Sequence, residues 1–286
     1  MEWSTEQVSW LVKVFQPERS VATLPGGWAG LEEGTRAALL GLSTDVYLAA
    51  HAGLVAGAKE AAHELLADTA VCAMVDRLSL KKNAKVVAFG DSHTSDPQSW
   101  AVILSELFAA RRPDDAISVV ISAVSGDTTT HGQIRIGEVI AQQPDWILFF
   151  IGGNDARIHG PNLGKTLIDH RETARNLVDI KRRVHQETNA QCLWITPPKV
   201  IEDRVARHWA LARFGIHFRN EDIARVADAV RQLDAAHVDL FSGLGDLPPD
   251  IVTEDGLHFR LSGQKRITLE ILRSWSGAVQ DGGAAR

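Results

Sequence analysis

From about residue 84 onward the sequence predicts an α/β fold: a three-layer α/β/α, flavodoxin-like parallel sheet with helices on both faces. Three observations carry that expectation. Short, nearly unbroken apolar runs recur along the chain, as strands buried on both faces require. Amphipathic stretches of helical length separate them, so strand and helix alternate in order. Three of the runs also end in glycine-containing polar tetrapeptides, and the carboxyl ends of parallel strands are where such a sheet presents ligand-binding loops.

Residues 1–80 carry helical periodicity and no strand signal. Ser4 or Thr5 can cap a first helix bearing Val8, Leu11, Val12 and Phe15, with Gln7 completing a capping box on Ser4. Pro25-Gly26-Gly27 breaks the chain, and a short helix follows near Leu31–Leu42. Thr44 or Asp45 opens a longer helical stretch to about Leu78, with a break expected near Gly53 or Gly57. Its stripe of Leu54, Ala58, Leu65, Leu66, Val71, Met74, Val75 and Leu78 requires a partner surface. Three roles fit this region: a helical layer on the sheet, a cap narrowing a pocket, or a surface through which two copies form a homo-oligomer.

After Lys81-Lys82-Asn83 the period changes. Strands are expected at Val86–Phe89, Ile117–Ile121, Trp146–Ile151, Gln191–Ile195 and His237–Leu240. Helices are expected near Ser99–Arg112, Ile134–Gln142, Arg171–Gln186, Asn220–Ala235 and Ser262–Trp275. Trp209, Phe214 and Phe218, in the segment His208–Phe218, are expected either to wall a pocket or to pack in the core. The domains expected are thus helices over 1–80, the α/β unit over 84–276 and a loose polar tail over 277–286.

Composition excludes more than it identifies. The 286 residues are 45% hydrophobic and 23% charged, with a net charge of −6. That balance gives no footprint for nucleic acid or an anionic lipid surface. No apolar run reaches the ~18 residues needed to span a bilayer. The first residues lack the basic and apolar regions of a secretory signal, so a cytoplasmic location is expected. Cys72 and Cys192 stand far apart in apolar context and read as reduced, buried thiols. His63-Glu64-Leu65-Leu66-Ala67 lacks the second histidine of a zinc-protease helix. Gly160-Pro161-Asn162-Leu163-Gly164-Lys165-Thr166 has one residue too few between its glycines for a phosphate loop. No metal or organic cofactor is expected.

The chemistry lies in four tetrapeptides: Gly90-Asp91-Ser92-His93, Ser125-Gly126-Asp127-Thr128, Gly152-Gly153-Asn154-Asp155 and Asp255-Gly256-Leu257-His258. Ser92 follows a strand, where a hydroxyl is presented to the crevice. Asp255 and His258 lie three apart, so one compact turn lets the carboxylate meet imidazole Nδ1 and leaves Nε2 for a serine. Nucleophile, base and orienting carboxylate are what covalent acyl transfer requires. The N–H of Ser92, the N–H of Gly126 and the side-chain amide of Asn154 are candidate donors for a developing oxyanion. Each motif taken singly has a plainer reading as a helix cap, a turn glycine or an Asx turn.

In these four blocks the chain resembles the SGNH hydrolases, also called the GDSL esterase/lipase family, over about residues 84–276. The stretch from Ser125 through Gln143-Pro144-Asp145-Trp146 to Asp155 is similar to the bacterial branch holding multifunctional thioesterase/lysophospholipase enzymes. The resemblance implies Ser92 as nucleophile, Asp255 and His258 as the rest of a triad, and Ser92, Gly126 and Asn154 as the oxyanion hole. It implies a serine esterase acting on a small-molecule carboxylic ester, with short acyl or acetyl groups favoured. The alternatives are an acyl-thioesterase or lysophospholipase of the same family, or a silent binding protein on this fold. Two positions depart from the family pattern. His93 replaces the usual leucine, and Ala123 stands where many relatives carry Asn or Gly.

Overall fold

The computed structural model describes residues 3–19, 31–160 and 164–281, with backbone alone for 278–281. In chain order the elements are α1 (Thr5–Val14), α2 (Glu33–Leu39), α3 (Thr44–Leu66), α4 (Thr69–Arg77), β1 (Lys85–Gly90), α5 (Ser92–Ser95) and α6 (Trp100–Arg111). There follow β2 (Ser118–Ala123), α7 (Thr129–Ala141), β3 (Trp146–Phe150), β4 (Ile158–His159), α8 (His170–Glu187), β5 (Gln191–Ile195) and α9 (Glu202–Arg207). The last are β6 (Ile216–His217), α10 (Asn220–Arg231), β7 (His237–Val238), α11 (Leu240–Gly243) and α12 (Leu261–Asp281).

Five strands form one parallel sheet in the order β2-β1-β3-β5-β7, and β4 and β6 pair separately as a small antiparallel ribbon. Register is fixed by apolar pairs across the central strands, with Val87 opposite Val120 on one side and Ile147 on the other. Alternation along each strand divides the core in two. Val86, Ala88, Leu148, Phe150, Leu193 and Ile195 face the layer made by α3, α4, α6 and α12. Val87, Phe89, Ile147, Phe149 and Trp194 face α7, α8 and α10. Trp275, fully buried on α12, meets Trp146 and Phe108 edge to face at 5.1 and 6.3 Å. Truncating it to alanine would cost about 3–5 kcal/mol, the usual range for a buried aromatic.

The capping box at Ser4 forms: Ser4 N donates to Gln7 Oε1 at 2.9 Å and Gln7 N to Ser4 Oγ at 3.2 Å. The long N-terminal helix, however, runs unbroken through Gly53 and Gly57 and stops at Ala67, where Asp68 caps α4 by accepting from Ala70 N at 2.8 Å. Gly57 faces the Leu261 side chain of α12 at ordinary contact distance, and the helix continues through it. Helix α7 begins five residues earlier than the apolar period suggests, because Thr128 caps it with His131 returning to the Thr128 N–H at 3.1 Å. The carboxyl end differs too, with α12 extending to Asp281, so residues 277–281 continue a helix where a loose tail was expected. The Pro25-Gly26-Gly27 break, Pro161–Leu163 of the phosphate-loop lookalike and residues 282–286 lie outside the described residues.

No single helix among the described residues is long and apolar enough to cross a membrane. Both cysteines are free and are only partly buried.

Candidate active site

The carboxyl ends of β1, β2 and β3 open onto one crevice. At the end of β1 the chain turns at once into the four-residue helix α5, with Asp91 as its cap and Ser92 in its first position. A first-turn N–H has no partner within its own helix, so that of Ser92 is uncommitted to the turn.

The turn before α12 supplies the facing groups. Gly256 adopts φ +70°, and a side chain there would come within 2.6 Å of both the Ile201 carbonyl oxygen and Arg204 Cβ. Only glycine allows this bend, which folds the Asp255 carboxylate under His258. Asp255 Oδ1 accepts from the backbone N–H groups of Leu257 and His258, both at 2.9 Å, and from Thr253 Oγ1 at 2.5 Å. Its Oδ2 meets His258 Nδ1 at 2.5 Å, and His258 Nε2 lies 2.9 Å from Ser92 Oγ. The structure thus brings the three residues expected of a triad into one hydrogen-bonded chain.

Complete burial of Asp255 opposes its charge, but the His258 imidazole and the converging donors outweigh that, and the carboxyl is held far below the ordinary carboxylate range. One donor was not legible in the sequence. Trp10 of α1, 245 positions away, gives its indole N–H to Asp255 Oδ2 at 2.7 Å.

Trp10 is the first of three polar contacts that α1 and the residues just after it make with the α/β unit. Three residues on, Lys13 forms a buried ion pair with Asp96 at 2.6 Å. Three further, Gln16 accepts a hydrogen bond from Ser95 Oγ at 2.6 Å. Helix α1 therefore docks on both the α5 loop and the Asp255 turn, and its apolar face joins Val200, Val205, Leu211 and Ile223 in a separate small core.

Gly126, three residues after β2, has φ +84°, and it and Asn154, after β3, both line the cavity onto which Ser92 and His258 open. Asn154 Nδ2 donates one hydrogen to Asp91 Oδ2 at 3.2 Å, which fixes the amide and leaves its second N–H. Burial lifts Asp91 to about 7, against the lesser opposing pull of the His93 N–H and of His258. The other motif aspartates are structural. Asp155 accepts from Thr129 N at 2.9 Å, Thr129 Oγ1 at 2.5 Å and Thr173 Oγ1 at 2.9 Å, tying the Asn154 turn to α7 and α8. Asp127 binds Arg135 Nε at 2.6 Å. His93 is packed, stacked on the Phe150 ring at 5.3 Å, and burial together with the neighbouring His258 lowers it to about 3, so it is neutral.

The cavity measures about 330 Å³. Besides the polar groups named, it is walled by Trp10, Val14 and Phe15 of α1 and by Leu211, Phe214 and Phe218. Those last three belong to the aromatic segment before α10, which thus walls the pocket. A larger cleft of about 460 Å³ opens at the opposite, amino-terminal end of the strands around Lys81, Asp145 and Gln191. It holds none of the four motifs, and parallel sheets bind ligands at the other edge.

The GDSL-like lipase/acylhydrolase family model matches residues 88–266. Among solved structures, an acetylxylan esterase from Geobacillus stearothermophilus is similar at 21% identity with a TM-score of 0.54, over 68% of this chain and 95% of that one. Catalytic mutants of that enzyme with a serine, an aspartate or a histidine changed to alanine are also among the similar structures. An α/β hydrolase from the metagenome of Lake Arreo, Spain, is similar at 20% identity with a TM-score of 0.52, over 71% of this chain and 99% of that one. No curated protein matches the chain in sequence.

Proposed function

The chain belongs to the GDSL-like lipase/acylhydrolase family, and we propose that it is a serine esterase working through an acyl-enzyme. His258 Nε2 takes the Ser92 proton as Oγ attacks the ester carbonyl carbon. The oxyanion is received by the N–H groups of Ser92 and Gly126 and by the free amide hydrogen of Asn154. Each such donor is worth on the order of 3 kcal/mol in the transition state. The intermediate collapses as His258 returns the proton to the leaving alcohol. Water, deprotonated by the same nitrogen, then attacks the acyl-enzyme and releases the acid and Ser92. Asp255 remains ionised throughout, orients the imidazole and stabilises the imidazolium.

The observation that carries this reading is the unbroken chain from Ser92 through His258 to Asp255, opening onto the cavity that Gly126 and Asn154 also line. The size of that cavity supports a small substrate. At about 330 Å³ it is at the lower end of the ~300–1,000 Å³ common for small-molecule pockets. Short acyl esters suit it better than long-chain lysophospholipids.

The test is a chain-length series of p-nitrophenyl esters run beside acyl-CoA thioesters and acetylated sugars, with a fluorophosphonate probe for the serine. Labelling of Ser92 and a kcat/KM maximum at C2–C4 are expected. A maximum at C10 or longer, or preference for the thioester, would overturn the short-ester reading. Absence of both labelling and turnover would overturn the serine mechanism.

A further inference from the structure

One cation in the cavity forms no ion pair among the described residues. Arg157 follows the Gly152–Asp155 turn, its backbone pinned by Arg157 N donating to Asn154 O at 3.2 Å and Leu167 N to Arg157 O at 2.8 Å. Its guanidinium lies over the oxyanion glycine, with Nη1 3.8 Å from where a Cβ on Gly126 would stand. The Nε atom is buried without a hydrogen-bond partner among the described residues, and the side chain forms no ion pair there. No carboxylate lines the cavity, whose remaining walls near Arg157 are mainly apolar.

The contrast with Arg135, also at the carboxyl edge of the sheet, is sharp. Arg135 is spent on Asp127, Ser122 and the Gly90 carbonyl. Arg157 has no such set. Burial weakens its hold on its proton and the Asp91 carboxyl partly offsets that, yet a guanidinium stays charged in a protein. A half-buried guanidinium without an ion pair carries a desolvation cost that Asp91 offsets only in part. A ligand anion would repay it, and the planar fork matches carboxylate or phosphate oxygens two at a time.

We infer that the pocket selects esters that carry an anionic group, carboxylate or phosphate, close to the scissile carbonyl, with Arg157 as the residue that recognises it. The inference rests on the serine-esterase reading and deepens it. The oxyanion itself is served by three other donors, which leaves Arg157 for a charge already present in the ground state. Ground-state recognition of this kind appears in KM.

The experiment uses the full chain and matched pairs of substrates. In one arm the anion is on the acyl group, with p-nitrophenyl hemisuccinate against butyrate and hemiglutarate against valerate. In the other it is on the alcohol, with an O-acetylated hexose 6-phosphate against the same sugar ester without phosphate. In one arm the anionic member should be favoured in kcat/KM by about ten- to hundredfold, the scale of one hydrogen bond to a charged group, chiefly through KM. Arg157→Gln should erase that preference and Arg157→Lys should restore part of it. Independently of any variant, free glutarate should compete with the neutral ester in the wild type and pentanamide should not.

No preference for the anion in either arm overturns the inference, as does an equal loss on both members of a pair in Arg157→Gln. Fluorophosphonate labelling of Ser92 without turnover of any of these esters overturns the inference and leaves the serine mechanism standing. Loss of both labelling and turnover overturns the two together.

Discussion

The α/β domain and the N-terminal helices meet at Asp255, and each holds it by different means. On the domain side the carboxylate is fixed locally: Thr253, Leu257 and His258 donate from within three residues of it, around a glycine that alone permits the turn. On the helical side it is fixed from 245 positions away, by a single indole on α1. The family match begins at residue 88, after all four N-terminal helices. The proposed reacting groups thus belong to the family domain, while an element outside the match supports the carboxylate and walls the pocket. A short local turn needs little beyond its own sequence, whereas the long-range contact depends on how α1 packs.

Removing groups on the domain side gives the largest effects. Ser92→Ala and His258→Ala are each expected to lower kcat/KM by about 10³-fold or more, and Asp255→Ala somewhat less, measured on the best p-nitrophenyl ester. If Asp255→Ala is harmless while another acidic variant is inactive, the orienting carboxylate is misassigned and the comparison loses its centre.

The next largest concerns stability. Lys13 and Asp96 are both buried, and their pairing anchors α1 to the α5 loop. Lys13→Met leaves Asp96 without its cation and should cost about 3–5 kcal/mol in urea denaturation. Adding Asp96→Asn should recover much of the loss. Equal stability of Lys13→Met and wild type would mean that α1 is not held there.

Trp10→Phe keeps the ring and removes one hydrogen bond to a charged acceptor, a change of ~1.5–3 kcal/mol. The loss should fall mainly on kcat. With one donor fewer, the carboxylate that orients His258 is held less firmly. A loss confined to KM would make Trp10 a pocket wall and nothing more.

The most gradual effect is that of Asp91. Burial raises it from 3.8 to about 7, so folding takes up a proton between those values. Its contribution to stability is therefore full below about pH 4, declines as pH rises to about 7 and is level above. At most the decline is on the order of 4 kcal/mol. Asp91→Asn should flatten that part of the curve of Tm against pH, and an unchanged slope would assign the proton uptake elsewhere.

The strands, the main helices of the α/β unit and all five residues proposed for catalysis were readable from periodicity and four tetrapeptides, because each is specified locally. A strand ends at a glycine, an Asp and a His share one turn, and three motifs terminate neighbouring strands of a parallel sheet. Small elements such as β4, β6 and α9 gave no such signal; at two to six residues they are too short to show a period. The unbroken run of α3 through two glycines was likewise invisible, since the surfaces it packs on belong to other elements, α1, α6 and α12 among them.

The sequence by itself thus determined the layered fold and the constellation around Ser92, through patterns spanning a few residues at a time. Tertiary structure alone decided that Trp10, Lys13 and Gln16 reach Asp255, Asp96 and Ser95, and that Arg157 lies over Gly126. The reason is physical. A buried polar group is stabilised by whichever partner the packing brings to it, and the tryptophan and lysine of α1 carry no local mark of what they will meet.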